Sequence, residues 1–273
     1  MAEVCRGENE PTRDRYFGSW WNAFEVPVSS VCAGPLVRAD LDDKTYDRLL
    51  NLVTTCPHAE VAYAKARLPL ARDSTGTITG VSPEEGLAYR SEQFGGHVTI
   101  AGRTSEAPAL ASARIAREMI RAALLRGGWT FLHASGVVHD GQVLLTFGSK
   151  GAGKTTTALL LAGRGAQLHA NERVFVKVVG GEPRVLPWPP AAALGLGLLD
   201  ALGLFDVVRA RLQAGEQLHP TQHRDVTDAL LAGRREPLWE PGGKRERKVQ
   251  VFPDQFDTWF GMRPASIPPP CRP

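Results

Sequence analysis

Residues 148–155 read Gly-Ser-Lys-Gly-Ala-Gly-Lys-Thr, a full match to the pattern GxxxxGK[ST]. Spaced glycines let the backbone wrap an anion with its N–H groups turned inward. A helix that begins at the end of such a loop adds unpaired N–H groups and a positive dipole end at the same point. There Lys154 reaches the outer phosphates of a nucleoside triphosphate, and the Thr155 hydroxyl ligates Mg²⁺. At average residue usage the pattern arises by chance in about one chain in a hundred of this length. The expected cradle is Gly148, Ser149, Lys150, Gly151, Ala152, Gly153, Lys154, Thr155 and Thr156, with ATP and Mg²⁺ as the cofactors.

The flanking sequence has the order that the motif needs. An apolar strand is expected at 143–147 and a helix at 154–164, ending before Gly165. No guanine-reading NKxD segment is found, and no apolar strand ending in Asp stands out after residue 165. GTPase and motor or transporter ATPase chemistry therefore lose ground to a kinase.

The surrounding block, residues 133–174, is HASGVVHDGQVLLTFGSKGAGKTTTALLLAGRGAQLHANERV. It resembles the catalytic domain of the HPr kinase/phosphorylase family, P-loop proteins related in fold to phosphoenolpyruvate carboxykinase. The likeness is good over 133–174, loose over 105–190, and absent from the first hundred residues. It implies that His133 lies near the transferred phosphate and that Lys154 and Thr155 hold phosphate and metal. Asn171 and Glu172 fall where the family has paired aspartates, which makes Glu172 a metal-sphere or base residue. The first of those acids, the family's base toward the substrate hydroxyl, is here an amide that accepts no proton at neutral pH. Base duty then moves to Glu172 or His133, or Asn171 only orients substrate or water. Phosphoryl transfer depends more on positioning and charge than on proton abstraction, so the substitution leaves kinase chemistry open. The reverse, phosphorylase reaction loses support.

Other candidates have plainer readings. His139 falls in an expected hairpin turn at Asp140-Gly141. The charge run 242–248 is either a solvated loop or a cationic loop that closes on the triphosphate. The arginines of the 105–126 segment read as surface charge or subunit contacts, and Arg90 is undecided. Phe17, Trp20, Trp21 and Phe24 read as an aromatic core cluster, with the lining of a substrate pocket as the alternative.

The elements that must position these residues follow from periodicity. Strands are expected at 24–28, 61–66, 77–81, 97–101 and 129–133, with a helix at 43–53. A second helix starts at a Ser105 cap, carries Ala116, Met119, Ile120, Ala123 and Leu124 on one face, and stops at Gly127-Gly128. Residues 168–179 read as one strand, and 187–205 as a short buried helix with loops.

The chain has 273 residues with a net charge of +3, 43% hydrophobic and 22% charged. That composition excludes wholesale disorder. The charge is too mild for nucleic-acid binding, and no apolar run is long enough to span a membrane. Four separated cysteines, Cys5, Cys32, Cys56 and Cys271, read as reduced thiols. The polar first fifteen residues show no signal peptide, so cytoplasm is the expected compartment.

The expected fold is α/β, a P-loop domain of the HPr kinase/PEP carboxykinase-like type at 104–273 behind a smaller N-terminal α+β region at 1–103. The expected activity is ATP-dependent transfer of the γ-phosphate to a hydroxyl of a small metabolite or a peptide or protein serine. The alternative is a catalytically degenerate ATP-binding regulator. Expected partners are the small-molecule or peptide acceptor and, from the resemblance, further copies in a homo-oligomer.

Overall fold

Short apolar segments punctuated by turn residues fold mainly into strands in this chain. The structure, a computed structural model, describes residues 3–4, 35–63, 66–92, 96–104, 106–188 and 191–265. Two units form, Met1–Phe17 with Val26–Gly127 and Gly18–Glu25 with Gly128–Pro273.

In the first unit, β1 (Glu3–Val4), β2 (Leu36–Leu41), β3 (His58–Tyr63), β4 (Ala66–Arg72), β5 (Ile78–Ser82), β6 (Leu87–Glu92) and β7 (His97–Gly102) make one seven-stranded sheet. Its order is β1-β2-β7-β6-β5-β4-β3. Helix α1 (Asp43–Thr55) begins where the Asp42 carboxylate accepts the Thr45 N–H at 2.9 Å. It packs Tyr46, Leu49 and Val53 on Ala71, Val81, Ala88 and Ala101. The alternate residues Leu87, Tyr89, Val98 and Ile100 pack with Ala111 and Ala116 of helix α2 (Glu106–Arg126). Strand alternation therefore gives each face of the sheet its own helix.

Only the first half of α2 is buried, at Pro108, Ala109, Ala111, Ser112, Ala113 and Ala116. The expected apolar stripe continued to Leu124, but Ala123 is exposed. At about 1.5 Å per residue the helix spans roughly 30 Å, longer than the six-residue strands beneath it.

The second unit contains two three-stranded sheets. One is β10 (Gln142–Thr146), β9 (Ser135–His139) and β11 (Gln167–Ala170), in that order. The other is β13 (Glu182–Pro187), β12 (Val174–Val179) and β8 (Thr130–Leu132). Between them pack Ala134, Ala170 and Val174 with Leu132, Leu145, Val176 and Val185. Helix α3 (Lys154–Ala162) lies on β9, β10 and β11 and buries Ala158 and Leu159 with Val137 and Leu168. That core continues through β14 (Ala192–Leu194), α4 (Leu196–Ala201), α5 (Phe205–Gln213) and α6 (Arg224–Leu231). It closes on β17 (Val249–Val251) and α7 (Gln255–Thr258), beyond the small hairpin of β15 (Leu238–Trp239) and β16 (Glu246–Arg247).

This architecture corrects the expected fold class. The chain is mixed and strand-rich, with several separate sheets, and the α/β P-loop domain of HPr kinase/PEP carboxykinase type is not what forms. Among the described strands, parallel ladders occur only at β1–β2 and β2–β7. Both ladders of the sheet that carries the loop, β10–β9 and β9–β11, are antiparallel. The cause is local: the turn at Asp140-Gly141, with φ of 48° and 73°, folds β10 straight back on β9. Helix α3 then connects two strands that flank β9 and do not touch each other. The strand expected at 168–179 is also two strands, β11 and β12, which break at residues 171–173 and join different sheets.

Strand 24–28, the Ser105 cap, the aromatic residues Phe17, Trp20, Trp21 and Phe24, and Cys5, Cys32 and Cys271 lie outside the described residues. Cys56 is a free, exposed thiol. No helix among the described residues is long and apolar enough to cross a membrane.

The approach of α2 to β7 yields a test. A Cβ added at Gly102 would stand 2.3 Å from Pro108 Cγ and 3.1 Å from Leu87 Cδ2. Gly102→Ala is expected to destabilise the first unit by about 1–3 kcal/mol. Urea denaturation checks this, and an unchanged midpoint would contradict the packing described.

Candidate functional site

Strand register decides which chain ends meet. Thr146 of β10 pairs with Ser135 of β9, and Ala170 of β11 pairs with Gly136. The last residue of β10, the first of β9 and the last of β11 therefore lie at one end of the sheet. From that end emerge the glycine loop after β10, His133-Ala134 before β9 and Asn171-Glu172 after β11. With strands about 4.8 Å apart, the outer two are separated by about 10 Å.

The loop runs from Phe147 to Gly153 and delivers the chain into α3. Ala152 donates its N–H to the Ser149 carbonyl at 3.2 Å, and Gly153 accepts from the Thr157 N–H at 2.8 Å. Gly151 and Gly153 hold φ of 84° and 83°, a region that strains residues with a Cβ. Gly153 is the N-cap and supplies no side-chain cap, so α3 begins with N–H groups that face the loop. Lys154, only 7% exposed, donates from Nζ to the Gly148 carbonyl at 2.8 Å and the Ser149 carbonyl at 3.0 Å. Its ammonium is thus held within the loop. Lys150 is exposed on the loop, and Thr155 and Thr156 are half-buried in the first turn of α3.

At the same end of the sheet, His133 Nδ1 stands 4.0 Å from Glu172 Oε1, with both side chains about half exposed. Asn171 is 8% exposed, and its Oδ1 is buried without a hydrogen-bond partner. Its backbone carbonyl accepts a hydrogen bond from the hydroxyl of Ser135, a buried residue.

Sequence reasoning missed two residues at this end. Ser135 sits two positions after His133, and nothing in a small polar residue between Ala134 and Gly136 marks it. His169 is 3% exposed with both ring nitrogens unpartnered. A Cβ built on Gly136 would lie 3.8 Å from its Cδ2, which places the ring beside that glycine. Burial pushes its pKa down to about 4, so the imidazole is neutral near pH 7.

Other sequence candidates fall elsewhere. His139 is exposed beside Asp140, 3.5 Å away. In the 242–248 run, Arg247 is tied to Asp225 by an ion pair, and Glu246 and Arg247 form strand β16. Lys244 and Arg245 are exposed at its turn. Arg90 lies on β6, 2.8 Å from Glu92, and Arg114 pairs with Glu85 at 3.0 Å. Among the described residues no three His, Cys, Asp or Glu side chains gather in a metal-binding group.

His169 gives the site a pH signature. Its folded pKa lies below the unfolded value of about 6.5, so unfolding takes up a proton between those values. The stability it contributes is complete above pH 6.5 and is lost as pH falls toward 4. Wild type is therefore expected to lose about 3 kcal/mol more than His169→Gln over that window, by chemical denaturation at several pH values. Parallel pH profiles for the two proteins would contradict the burial of a neutral ring.

No protein-family model matches the chain, and no curated protein matches its sequence.

Proposed function

We propose that this chain is a Mg²⁺-dependent kinase that moves the γ-phosphate of ATP to the hydroxyl of a small metabolite or of a peptide or protein serine. The observation that carries the reading is the convergence, at one end of the β10-β9-β11 sheet, of the glycine loop, His133 and Asn171-Glu172. It rests on this local arrangement and on the likeness of residues 133–174 to HPr kinase. The overall architecture does not enter, because a site and not a fold determines chemistry.

The donor set fits a magnesium triphosphate. The loop combines positive-φ glycines, an uncapped helix start and a buried ammonium, all suited to phosphate oxygens. The Thr155 hydroxyl and the Glu172 carboxylate are hard oxygen donors, the kind Mg²⁺ takes together with substrate phosphates. Bound ATP supplies the transferable phosphoryl group, and Mg²⁺ offsets its charge.

The chain's own residues then have separable tasks. Lys154 turns its ammonium toward the outer phosphates and offsets charge as it spreads over the transferred group. The N–H groups of α3 and the loop hold the remaining phosphate oxygens. Glu172 stands in the metal sphere or receives the acceptor hydroxyl's proton, with His133 beside it as the other proton carrier. Asn171, an amide, orients its neighbours through hydrogen bonds and takes no proton.

Asn171 also favours a second reading. An amide in place of the acid that the HPr kinase likeness implies is what a nucleotide-binding regulator without turnover would carry. The two readings part on turnover. In the kinase reading, wild type binds Mg²⁺-ATP and releases ADP slowly with water as acceptor. Lys154→Ala is expected to lose at least about a hundredfold in turnover. Glu172→Gln loses nearly all phosphoryl transfer, leaving a slow residual rate, and keeps ATP affinity within a few fold. Calorimetric binding beside a coupled ADP assay checks both variants. Tight binding with no turnover across a broad screen of metabolite and peptide acceptors would favour the regulator, and unchanged transfer by Glu172→Gln would remove its assigned role.

A further inference from the structure

The β9–β11 ladder is irregular where it reaches the site. Gln167 pairs with Val138 and Leu168 with Val137, but the next pair is Ala170 with Gly136, with a bulge between Leu168 and Ala170. Extending the shifted register by one residue would set Asn171 opposite Ser135. No ladder pair forms there; β11 ends at Ala170. In its place the Ser135 hydroxyl donates to the Asn171 carbonyl.

That one bond has an unusual placement. Ser135 begins β9, directly after His133-Ala134, and Asn171 begins the turn that carries Glu172. The hydroxyl therefore ties the segment bearing one candidate proton carrier to the segment bearing the other. Ser135 is 1% exposed and Asn171 is 8% exposed, so water competes poorly for the bond. A side-chain link leaves residues 171–173 free of strand geometry. They can then turn between the two sheets and still be anchored at the point where the ladder stops.

We infer that Ser135 is the positioning residue of this site: its hydroxyl fixes the Asn171-Glu172 turn against the start of β9 and thereby sets Glu172 beside His133. The assignment rests on the kinase reading for its effect on turnover, but its structural half stands apart from that reading. Ser135 acts through Glu172 and touches no reacting atom.

The test uses the full chain with Mg²⁺-ATP as the probe and water as acceptor. Ser135→Ala is expected to lower kcat for ADP release about ten- to fiftyfold while the KM for ATP stays within about threefold, since the loop is untouched. Ser135→Thr, which keeps the hydroxyl, restores most of the loss. The double variant Ser135→Ala/Glu172→Gln is expected to be no slower than Glu172→Gln alone, because both changes remove the same function. A merely structural serine would give additive losses and a matching rise in KM. Hydrogen exchange supplies the second readout: amides of 170–174 exchange faster in Ser135→Ala, while those of 154–162 do not change. Should Ser135→Ala fail to fold, Ser135→Cys, close in size with a weaker donor, takes its place in every arm.

Wild-type turnover and exchange in the alanine or cysteine variant, or additive losses in the double variant, would overturn the assignment. A wild type that releases no ADP would count against the kinase reading, and the exchange comparison would then decide the role of Ser135 alone.

Discussion

Strand β9 is the constraint on which the site depends. Among the described strands it alone pairs with both β10 and β11, and its register fixes where each of them ends. A slip of one residue on the β11 side would turn Leu168 from its cluster and expose it. Hydrophobic burial of Leu168 therefore enforces the β9–β11 register, and the tight Asp140-Gly141 turn sets that of β9–β10. The register in turn brings the glycine loop, His133 and Glu172 to one end. Their placement at that end is a consequence of packing around β9.

The same strand explains how an antiparallel sheet presents the glycine loop. Loops of this type need a strand running in and a helix running out, with the helix start facing the ligand. They do not need a parallel neighbour. Here β10 enters after a tight hairpin, and α3 leaves to pack across the sheet on Val137 and Leu168. Lys154 is buried between loop and helix, where its ammonium is paired with two loop carbonyls. A cation kept close to such a loop, in surroundings less polar than water, interacts more strongly with an incoming anion than one free in solvent.

What the sequence made legible is what local rules govern. The loop, the Asp140-Gly141 turn and α1 from Asp43 follow from glycine placement, turn chemistry and a helical apolar stripe. The architecture did not follow, because pairing partners are a nonlocal choice. The order strand, loop, helix, strand suits an α/β sheet, yet the tight turn at Asp140-Gly141 commits β10 and β9 to antiparallel pairing. Residues 168–179 failed for a related reason. Their apolar character says strand throughout, while the polar residues 171–173 let the chain leave one sheet and enter another. Within the candidate site, Lys154 was visible by residue type and spacing, and Glu172 and His133 only through the likeness of residues 133–174 to HPr kinase. Ser135 and His169 were not, since a serine beside glycine and a histidine in an apolar strand carry no outward sign of burial.

The most direct measurement of this account is hydrogen exchange on the full chain with and without Mg²⁺-ATP. Convergence at the end of β9 predicts that nucleotide slows exchange in two separated stretches at once, 147–156 and 170–174, and that Lys154→Ala abolishes both effects. Protection of neither stretch, or of 147–156 with 170–174 unaffected, would contradict the claim that the loop and the Asn171-Glu172 turn form one site.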